Sequence, residues 1–157
     1  MHIRKATPAD ADMVYGFINA LEEKKMSREG FDECYAYNLR SSHSHYLLAE
    51  AEDRVIGFLS CHGQMLLHHA GWVYEIQELY IDHEWRSKGV GKQLLETIEA
   101  ILADVEYDVL EVSSNASRIR AHSFYLQNGF EQTSLKFVKK SKQADTTQTY
   151  TTLHSSS

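Results

Sequence analysis

A strand, a glycine-containing loop, a helix and a second strand follow one another between residues 73 and 113, and this order constrains the fold more than any other feature of the 157-residue sequence. β-Branched and aromatic residues predict a strand at Val73–Ile81, and a second apolar run predicts one at Asp108–Ser113. Between them, the segment Gly89–Leu102 carries its apolar residues on one helical face. A strand, helix and strand within about 40 residues form a crossover unit, which joins parallel strands. The sequence therefore predicts an α/β fold with at least one parallel pair of strands.

The segments on both sides of this unit predict further strands and helices. Thr7, Pro8 and Asp10 supply an N-cap hydroxyl, a proline at the first helical position and an acid at the third, so a helix begins there. Asn128 and Gly129 predict the end of another helix. The other predicted elements, in chain order, are a strand at His2–Ala6, a helix at Arg28–Leu39, a hairpin of Tyr46–Glu50 and Val55–Cys61, a helix at Ser117–Gln127 and a last strand at Ser134–Val138.

The composition indicates one globular domain of a soluble, cytoplasmic protein. Hydrophobic residues make up 43% of the chain and charged residues 24%, with one proline and eight glycines, which excludes a disordered or collagen-like chain. The net charge of −6 argues against nucleic acid as a partner, and no apolar run approaches the ~20 residues that span a bilayer. Cys34 and Cys61 lack the spacing of a disulfide framework or a zinc site. We expect the domain to occupy residues 1–140 and a polar Ser/Thr-rich tail to occupy residues 141–157.

The loop that joins the predicted strand Val73–Ile81 to the predicted helix Gly89–Leu102 is a candidate anion site. Gly89 and Gly91 let backbone N–H groups near the helix N-terminus approach phosphate oxygens, which the helix dipole also attracts. Arg86, Lys88 and Lys92 add positive charge at the same place. The spacing matches neither G-x-x-x-x-G-K-[ST] nor G-x-G-x-x-G, so a nucleoside triphosphate or a dinucleotide is disfavoured.

Two motifs connect this loop to a known family. The segment Arg86–Gly91, R-S-K-G-V-G, resembles the R/Q-x-x-G-x-G/A pyrophosphate loop of the GNAT superfamily of acetyl-CoA-dependent N-acetyltransferases. The segment Ala121–Phe130 resembles the A-x-x-F-Y-x-x-x-G-F pattern of the same superfamily, and the order of predicted elements is similar over roughly residues 2–140. The resemblance implies the GNAT acyltransferase fold, a mixed central sheet flanked by helices in a single domain. It also implies acetyl-CoA as cosubstrate and, as a superfamily expectation, a homodimer.

The resemblance also implies which residues bind the cofactor. In GNAT folds the fourth and fifth strands splay apart, and the pantetheine arm lies in the gap against the backbone of the fourth strand. The residues implied to bind acetyl-CoA are Leu79, Tyr80, Ile81, Arg86, Ser87, Lys88, Gly89, Val90, Gly91, Lys92 and Asn115.

Acetyl transfer to an amine needs a group that receives the ammonium proton and a group that protonates the departing thiolate. The resemblance implies Tyr125 as the acid, and it favours Glu75 as the base over Glu78, a near equal, and Glu111. Strand alternation places Glu75 and Glu78 on opposite faces of the sheet unless a bulge shifts the register.

Within the superfamily, the chain resembles the aminoalkylphosphonate N-acetyltransferases. The segments that carry this likeness are Tyr37–Arg40, His68–Trp72, Glu75–Leu79, Glu111–Asn115 and Arg120–His122. The likeness implies a small-molecule substrate, a primary amine that carries a phosphonate. Arg40 and Glu111 are the expected substrate-binding residues, and His68 and His69 are expected to bind a divalent metal or the phosphonate itself.

Three other functions remain open from the sequence. A diamine or polyamine acetyltransferase would line its cleft with Glu75, Glu78 and Glu111 and would lack a cationic anchor. A protein N-acetyltransferase would need an open groove. A non-catalytic coenzyme A-binding regulatory module would keep the Arg86–Gly91 loop but leave Tyr125 and the glutamates away from the thioester.

Overall fold

A five-stranded mixed sheet runs through the described part of the chain, which in this computed structural model comprises residues 1–114 and 117–141. Its strands lie side by side in chain order, antiparallel except for the last two, which are parallel. They are β1 (His2–Lys5), β2 (Ser44–Ala51), β3 (Arg54–Leu66), β4 (Gly71–Ile81) and β5 (Val109–Val112). The helices are α1 (Ala11–Glu22), α2 (Arg28–Leu39), α3 (Val90–Leu102) and α4 (Ile119–Gln127), with short 3-10 turns at Pro8–Asp10, Leu67–His69 and His83–Trp85. The predicted α/β class, the hairpin and the parallel pair are confirmed.

Local sequence explains how several of these elements begin. The hydroxyl of Ser27 accepts a hydrogen bond from the Gly30 N–H at 3.1 Å and so caps α2. Glu52 and Asp53 both adopt positive φ, 52° and 61°, in the two-residue turn between β2 and β3. Such a turn matches the right-handed twist of the strands it joins, which favours the long hairpin.

Helices cover both faces of the sheet. The buried residues on the α3 side are Leu47, Ala49, Ile56, Leu59, Cys61, Tyr74, Ile76, Val90, Leu94, Leu95, Ile98 and Leu102. The buried residues on the side of α1 and α2 are Val14, Phe17, Tyr35, Leu48 and Phe58. Neighbouring strand residues such as Leu47 and Leu48 thus enter different cores, as the two-residue period of a strand requires.

A bulge interrupts the pairing of β3 with β4. Ser60 lies opposite Glu78 and Cys61 lies opposite Ile76, so Gln77 is the extra residue. An inserted residue reverses the alternation of faces beyond it. Glu75 and Glu78 consequently share one face of β4, as in the bulged alternative that the sequence left open.

The last two strands separate along their length. β5 pairs with β4 from Val73 to Ile76 only, whereas β4 continues to Ile81. On that side, the β4 backbone from Gln77 to Ile81 has no strand partner among the described residues. A gap therefore opens between the strands towards the C-terminal end of β4.

The prediction of a last strand at Ser134–Val138 is wrong. These residues form no strand in the structure, and the side chains of Leu135, Phe137 and Val138 are 79%, 90% and 77% exposed. Alternating apolar residues report strand propensity, but a strand also needs a partner for its backbone hydrogen bonds. Residues 142–157, most of the predicted tail, lie outside the described residues. Within the described ranges no helix is long and apolar enough to cross a membrane.

Candidate active site

Four polar side chains form a row across the sheet. Ser44 lies opposite His62, His62 opposite Glu75, and Glu75 beside Glu111. The row faces α1 and α2, because the His62 ring packs against Tyr46 at 5.8 Å between centroids, next to the core on that side. Adjacent strands lie about 4.8 Å apart, so the two carboxylates of the row are close neighbours.

Hydrogen bonds in and beside this row orient Glu75 and His62. The Ser113 hydroxyl donates to Oε1 of Glu75 at 2.7 Å. The Ser44 hydroxyl lies 3.1 Å from Nδ1 of His62. Burial lowers the pKa of His62, and the nearby Glu75 carboxylate partly opposes that shift. His62 is therefore mostly neutral at pH 7.

Glu78 extends the carboxylate row along β4. Its backbone N–H donates to the Ser60 hydroxyl at 3.0 Å, and Ser60 is completely buried. Burial raises the pKa of Glu78, the hydrogen bond from Ser60 opposes this, and the charge of Glu22 at the end of α1 adds to it. A carboxylate with a raised pKa is a stronger base than an exposed one, so Glu78 suits proton transfer near neutral pH.

The histidines expected to bind metal lie at the tip of the β3–β4 hairpin. Nδ1 of His69 is 2.6 Å from the Asp108 carboxylate, and its Nε2 is 3.8 Å from Oε1 of Glu111. The His68 ring lies 4.4 Å from the His69 ring and is exposed. Across residues 1–114 and 117–141, no three His, Cys, Asp or Glu side chains are grouped so that they could hold a metal ion. The described residues therefore do not support the metal expected at His68 and His69.

The loop before α3 has the backbone geometry of an anion site. Ser87 and Gly89 adopt positive φ, 62° and 83°, immediately before the first turn of the helix. Alternating conformations of this kind turn successive N–H groups towards one concave side, where the helix dipole also favours negative charge. Lys92, exposed in the first turn of α3, adds a cation.

Two further cations flank this loop. Nε of Arg86 donates to the carbonyl of Ile81 at 3.1 Å, and its guanidinium lies 5.9 Å from the centroid of the Tyr80 ring. Nζ of Lys88 lies 5.3 Å from the centroid of the Trp85 ring. Both side chains are exposed and so can turn towards an anion at the helix N-terminus.

Helix α4 carries Tyr125 to the start of α3. A Cβ atom at Gly91 would lie 3.0 Å from Cζ of Phe124, so glycine allows the two helices to approach closely. The Tyr125 ring packs edge-on against Phe124 and Phe130 at 5.6 Å and 5.8 Å. Burial raises the pKa of Tyr125, and the charge of Arg118 partly opposes this shift. Tyr125 is therefore protonated at neutral pH.

A cavity of about 380 Å³ lies between α1, α2 and the sheet. Apolar side chains such as Val14, Ile18 and Phe31 line most of it, and Glu78 of β4 is also among the lining residues. The cavity therefore connects the carboxylate row to the space beneath α1 and α2.

The family of the chain follows from comparison with known proteins. The model of the acetyltransferase (GNAT) family matches residues 13–130. The chain belongs to the GNAT acetyltransferase family. GNAT enzymes use acetyl-CoA, so this chain is an acetyl-CoA-dependent N-acetyltransferase.

Individual relatives agree with this assignment. The chain is 37% identical over 137 residues to the aminoalkylphosphonate N-acetyltransferase of Salmonella typhimurium, an alignment that covers 87% of this chain and 89% of the relative. It shares its fold with the aminoglycoside 6'-N-acetyltransferase AAC(6')-IG of Acinetobacter haemolyticus, at 18% identity and a TM-score of 0.77, covering 90% of this chain and 100% of the other. It also resembles aminoglycoside N-acetyltransferase AAC(6')-Iy in complex with CoA, at 15% identity and a TM-score of 0.79, covering 90% and 94%.

Two expected site residues of this GNAT protein do not belong to any of the residue groups described above. Arg40 is exposed at the C-terminal end of α2. Asn115 lies outside the described residues. Sequence reasoning also missed Ser60, Ser113 and His62, whose roles depend on strand register. Their polar character at alternate positions of apolar strands was the available signal.

Proposed function

We propose that this protein transfers the acetyl group of acetyl-CoA to the primary amine of a small aminoalkylphosphonate. The observation that carries this proposal is the 37% identity, over 87% of the chain, to an enzyme named for that reaction. The carboxylate row supports it, because an ammonium group needs a negatively charged partner on the sheet.

The acceptor binds through its two charged ends. Glu75 and Glu111, adjacent on β4 and β5, attract the ammonium group. Arg40, which follows the C-terminal end of α2 and precedes Ser44 by four residues, pairs with the phosphonate. A guanidinium group can donate two parallel hydrogen bonds to phosphonate oxygens.

The proton transfers of the reaction depend on the protonation states of three side chains. Glu75 or Glu78 receives the ammonium proton, directly or through water, so that a neutral amine attacks the thioester carbonyl. The half-buried Tyr125, which its raised pKa keeps protonated, gives a proton to the departing thiolate. No step requires a metal ion.

The cofactor binds at the C-terminal end of β4. Acetyl-CoA supplies an activated acyl group as a thioester. The loop with Arg86, Lys88 and Lys92 and the N-terminus of α3 hold its pyrophosphate. The unpaired backbone edge of Leu79–Ile81 offers hydrogen bonds to the pantetheine amides and to the thioester carbonyl.

One observation favours a second candidate, diamine or polyamine acetylation. Glu75, Glu78 and Glu111 lie on the same face of the sheet because of the bulge at Gln77. Three carboxylates along one face suit an acceptor with more than one ammonium group.

The test is acetyl-CoA-dependent thiol release with aminomethylphosphonate, 1-aminoethylphosphonate, putrescine and spermidine. We expect saturable turnover of the aminophosphonates. Arg40→Gln should raise KM for them about tenfold or more, because a charge-assisted hydrogen bond contributes about 1.5–3 kcal/mol, and should leave KM for diamines unchanged. Arg28→Gln, which removes one positive charge at the opposite end of α2, is the matched control. A preference for polyamines that is unaffected by Arg40→Gln would reject the phosphonate assignment.

Glutamine variants separate the two bases. Replacing the true base should lower kcat/KM about 10²–10⁴-fold and shift its pH profile. Replacing the other glutamate should raise KM with a smaller change in kcat. If neither Glu75→Gln nor Glu78→Gln changes the pH profile, general base catalysis by β4 is wrong.

A further inference from the structure

The cavity beneath α1 and α2 does not suit a phosphonate. Its walls are formed chiefly by apolar and aromatic side chains, among them Val14, Ile18, Phe31 and Phe58. No lysine, arginine or histidine is among the described residues that line it. A phosphonate taken into this space would lose its hydration and gain no cationic partner, which is strongly unfavourable.

Aromatic rings form one continuous wall of the cavity. Phe31 stacks on Tyr35 at 5.5 Å, and Tyr35 stacks on Tyr46 at 5.6 Å between centroids. The Tyr35 hydroxyl donates to the Thr7 carbonyl at 2.7 Å, and the Tyr46 hydroxyl accepts from Nδ2 of Asn38 at 2.9 Å. The two hydroxyl groups have partners at these positions, so the tyrosines contribute mainly the surfaces of their rings. The wall can therefore contact an apolar or aromatic group without leaving its own polar atoms unpaired.

One acidic residue lines this apolar space. Glu78 lines the cavity and lies against Ser60. It is the carboxylic acid among the described residues that line the cavity. A cavity of about 380 Å³ lies within the usual range for small-molecule sites. Its apolar walls and single acid complement an amine with one ammonium group and an apolar body.

We propose that this cavity binds the aromatic body of a second class of acceptor, the arylalkylamines, with the amine held at Glu78. This inference rests on the acetyl transfer proposed above and adds a substrate class to the same centre. Glu78 takes the ammonium proton, the amine nitrogen forms a bond to the acetyl carbon, and the carbon–sulfur bond breaks. The thiolate receives a proton from Tyr125, and the second proton of the amine nitrogen passes through water to restore the Tyr125 hydroxyl, so an N-acetylarylalkylamine and free coenzyme A leave.

The first experiment compares turnover of 2-phenylethylamine with that of aminomethylphosphonate. Cys34→Phe places a large ring at the cavity wall and should raise KM for 2-phenylethylamine at least tenfold while leaving that for aminomethylphosphonate unchanged. Ala36→Phe, at an exposed position of the same helix outside the lining, is the matched control and should change neither.

The second experiment measures occupancy of the cavity without turnover. Cys34 is exposed and lines the cavity, whereas Cys61 is buried and serves as an internal control against unfolding. We expect 2-phenylethylamine, and not aminomethylphosphonate, to slow alkylation of Cys34 by iodoacetamide. Cys61 should stay unlabelled throughout.

The outcomes distinguish this inference from the proposed function. Turnover of aminomethylphosphonate, with neither turnover of 2-phenylethylamine nor protection of Cys34, overturns the inference and leaves the proposed function standing. Turnover and protection by 2-phenylethylamine, with no aminophosphonate turnover, support the inference and reject the phosphonate assignment. Protection of Cys34 by 2-phenylethylamine without acetylation of that amine shows that the cavity binds the amine but does not position it for acetyl transfer. This result overturns the inference as stated.

Discussion

The ion pair between Arg4 and Asp10 offers a quantitative test of what holds α1 against the sheet. The two guanidinium nitrogens of Arg4 donate to the two carboxylate oxygens of Asp10 at 2.9 Å and 2.8 Å, and Nε of Arg4 donates to Glu50 at 2.6 Å. Asp10 also accepts from the Thr7 N–H at 2.7 Å. This pair joins β1 to the segment that begins α1, one wall of the cavity between α1, α2 and the sheet. The perturbation is Asp10→Asn, since asparagine can still accept from Thr7 but carries no charge.

The expected loss follows from the pKa of Asp10. Its hydrogen bonds to Arg4 lower that pKa from 3.8 to about 2. A difference of 1.8, at about 1.36 kcal/mol for each pKa unit, corresponds to about 2.4 kcal/mol. The Arg4 side chain is 29% exposed, and solvent screens the interaction, so we expect Asp10→Asn to destabilise the fold by about 1–2 kcal/mol at pH 7. This corresponds to a decrease in Tm of roughly 2–8 °C.

The pH dependence provides the decisive assay. The folded-state pKa of Asp10 is lowered, so its contribution is complete above the unfolded pKa near 4 and is lost as the pH falls towards about 2. Urea unfolding of both proteins at several pH values should give a difference that shrinks below about pH 4. Asp32→Asn is the control, because Asp32 also pairs with an arginine, at 2.8 Å, but is 52% exposed, and no measurable loss is expected. Equal losses for the two variants at pH 7, or a loss for Asp10→Asn that is independent of pH, would refute the reasoning.

Four further predictions concern the active site. Tyr125→Phe should lower kcat about 10²–10⁴-fold in the thiol-release assay while leaving Tm nearly unchanged, because the ring contacts with Phe124 and Phe130 remain. Gly91→Val should weaken coenzyme A binding, measured by calorimetry, and destabilise the fold by about 1–3 kcal/mol, since a Cβ atom there already lies 3.0 Å from Phe124. Burial raises the folded-state pKa of Glu78, so the free energy of unfolding falls as the pH rises through that pKa. Glu78→Gln removes this cost and should raise Tm at pH 7–8 but not near pH 4, as measured by thermal scans across pH. EDTA should leave turnover of aminophosphonates unchanged, because the proposed proton transfers use Glu75 or Glu78 and Tyr125 alone, and loss of turnover with EDTA would contradict that scheme.

The parts of the fold that depend on local chemistry could be predicted from the sequence. The predicted helix at Arg28–Leu39 agrees with α2, and the loop at Arg86–Gly91, which we expect to bind an anion, has a positive φ at Gly89. Each depends on residues within one or two turns of chain, through a cap, a helical apolar face or a glycine at a left-handed position. Residue propensities and the spacing of apolar residues therefore predict these features directly.

Features that depend on residues distant along the chain could not be predicted from the sequence. His69 was expected to bind metal, but its partner is Asp108, 39 residues away, which no local pattern indicates. The strand expected at Ser134–Val138 has suitable alternation and no partner among the described residues. In both cases the residue type was informative, and its pairing was decided by tertiary structure.

The bulge at Gln77 shows how such pairing decides function. Perfect alternation would place one of Glu75 and Glu78 against α3, where a carboxylate would enter the larger apolar core. The bulge brings both to the α1 and α2 side, while Arg86 and its neighbouring lysines follow the C-terminal end of the same strand. In the proposed function, one strand thus carries an acidic region that attracts an ammonium group and leads into a basic loop that attracts a pyrophosphate. Because these regions act over a few ångströms, the overall charge of −6 does not prevent the chain from binding an anionic cofactor.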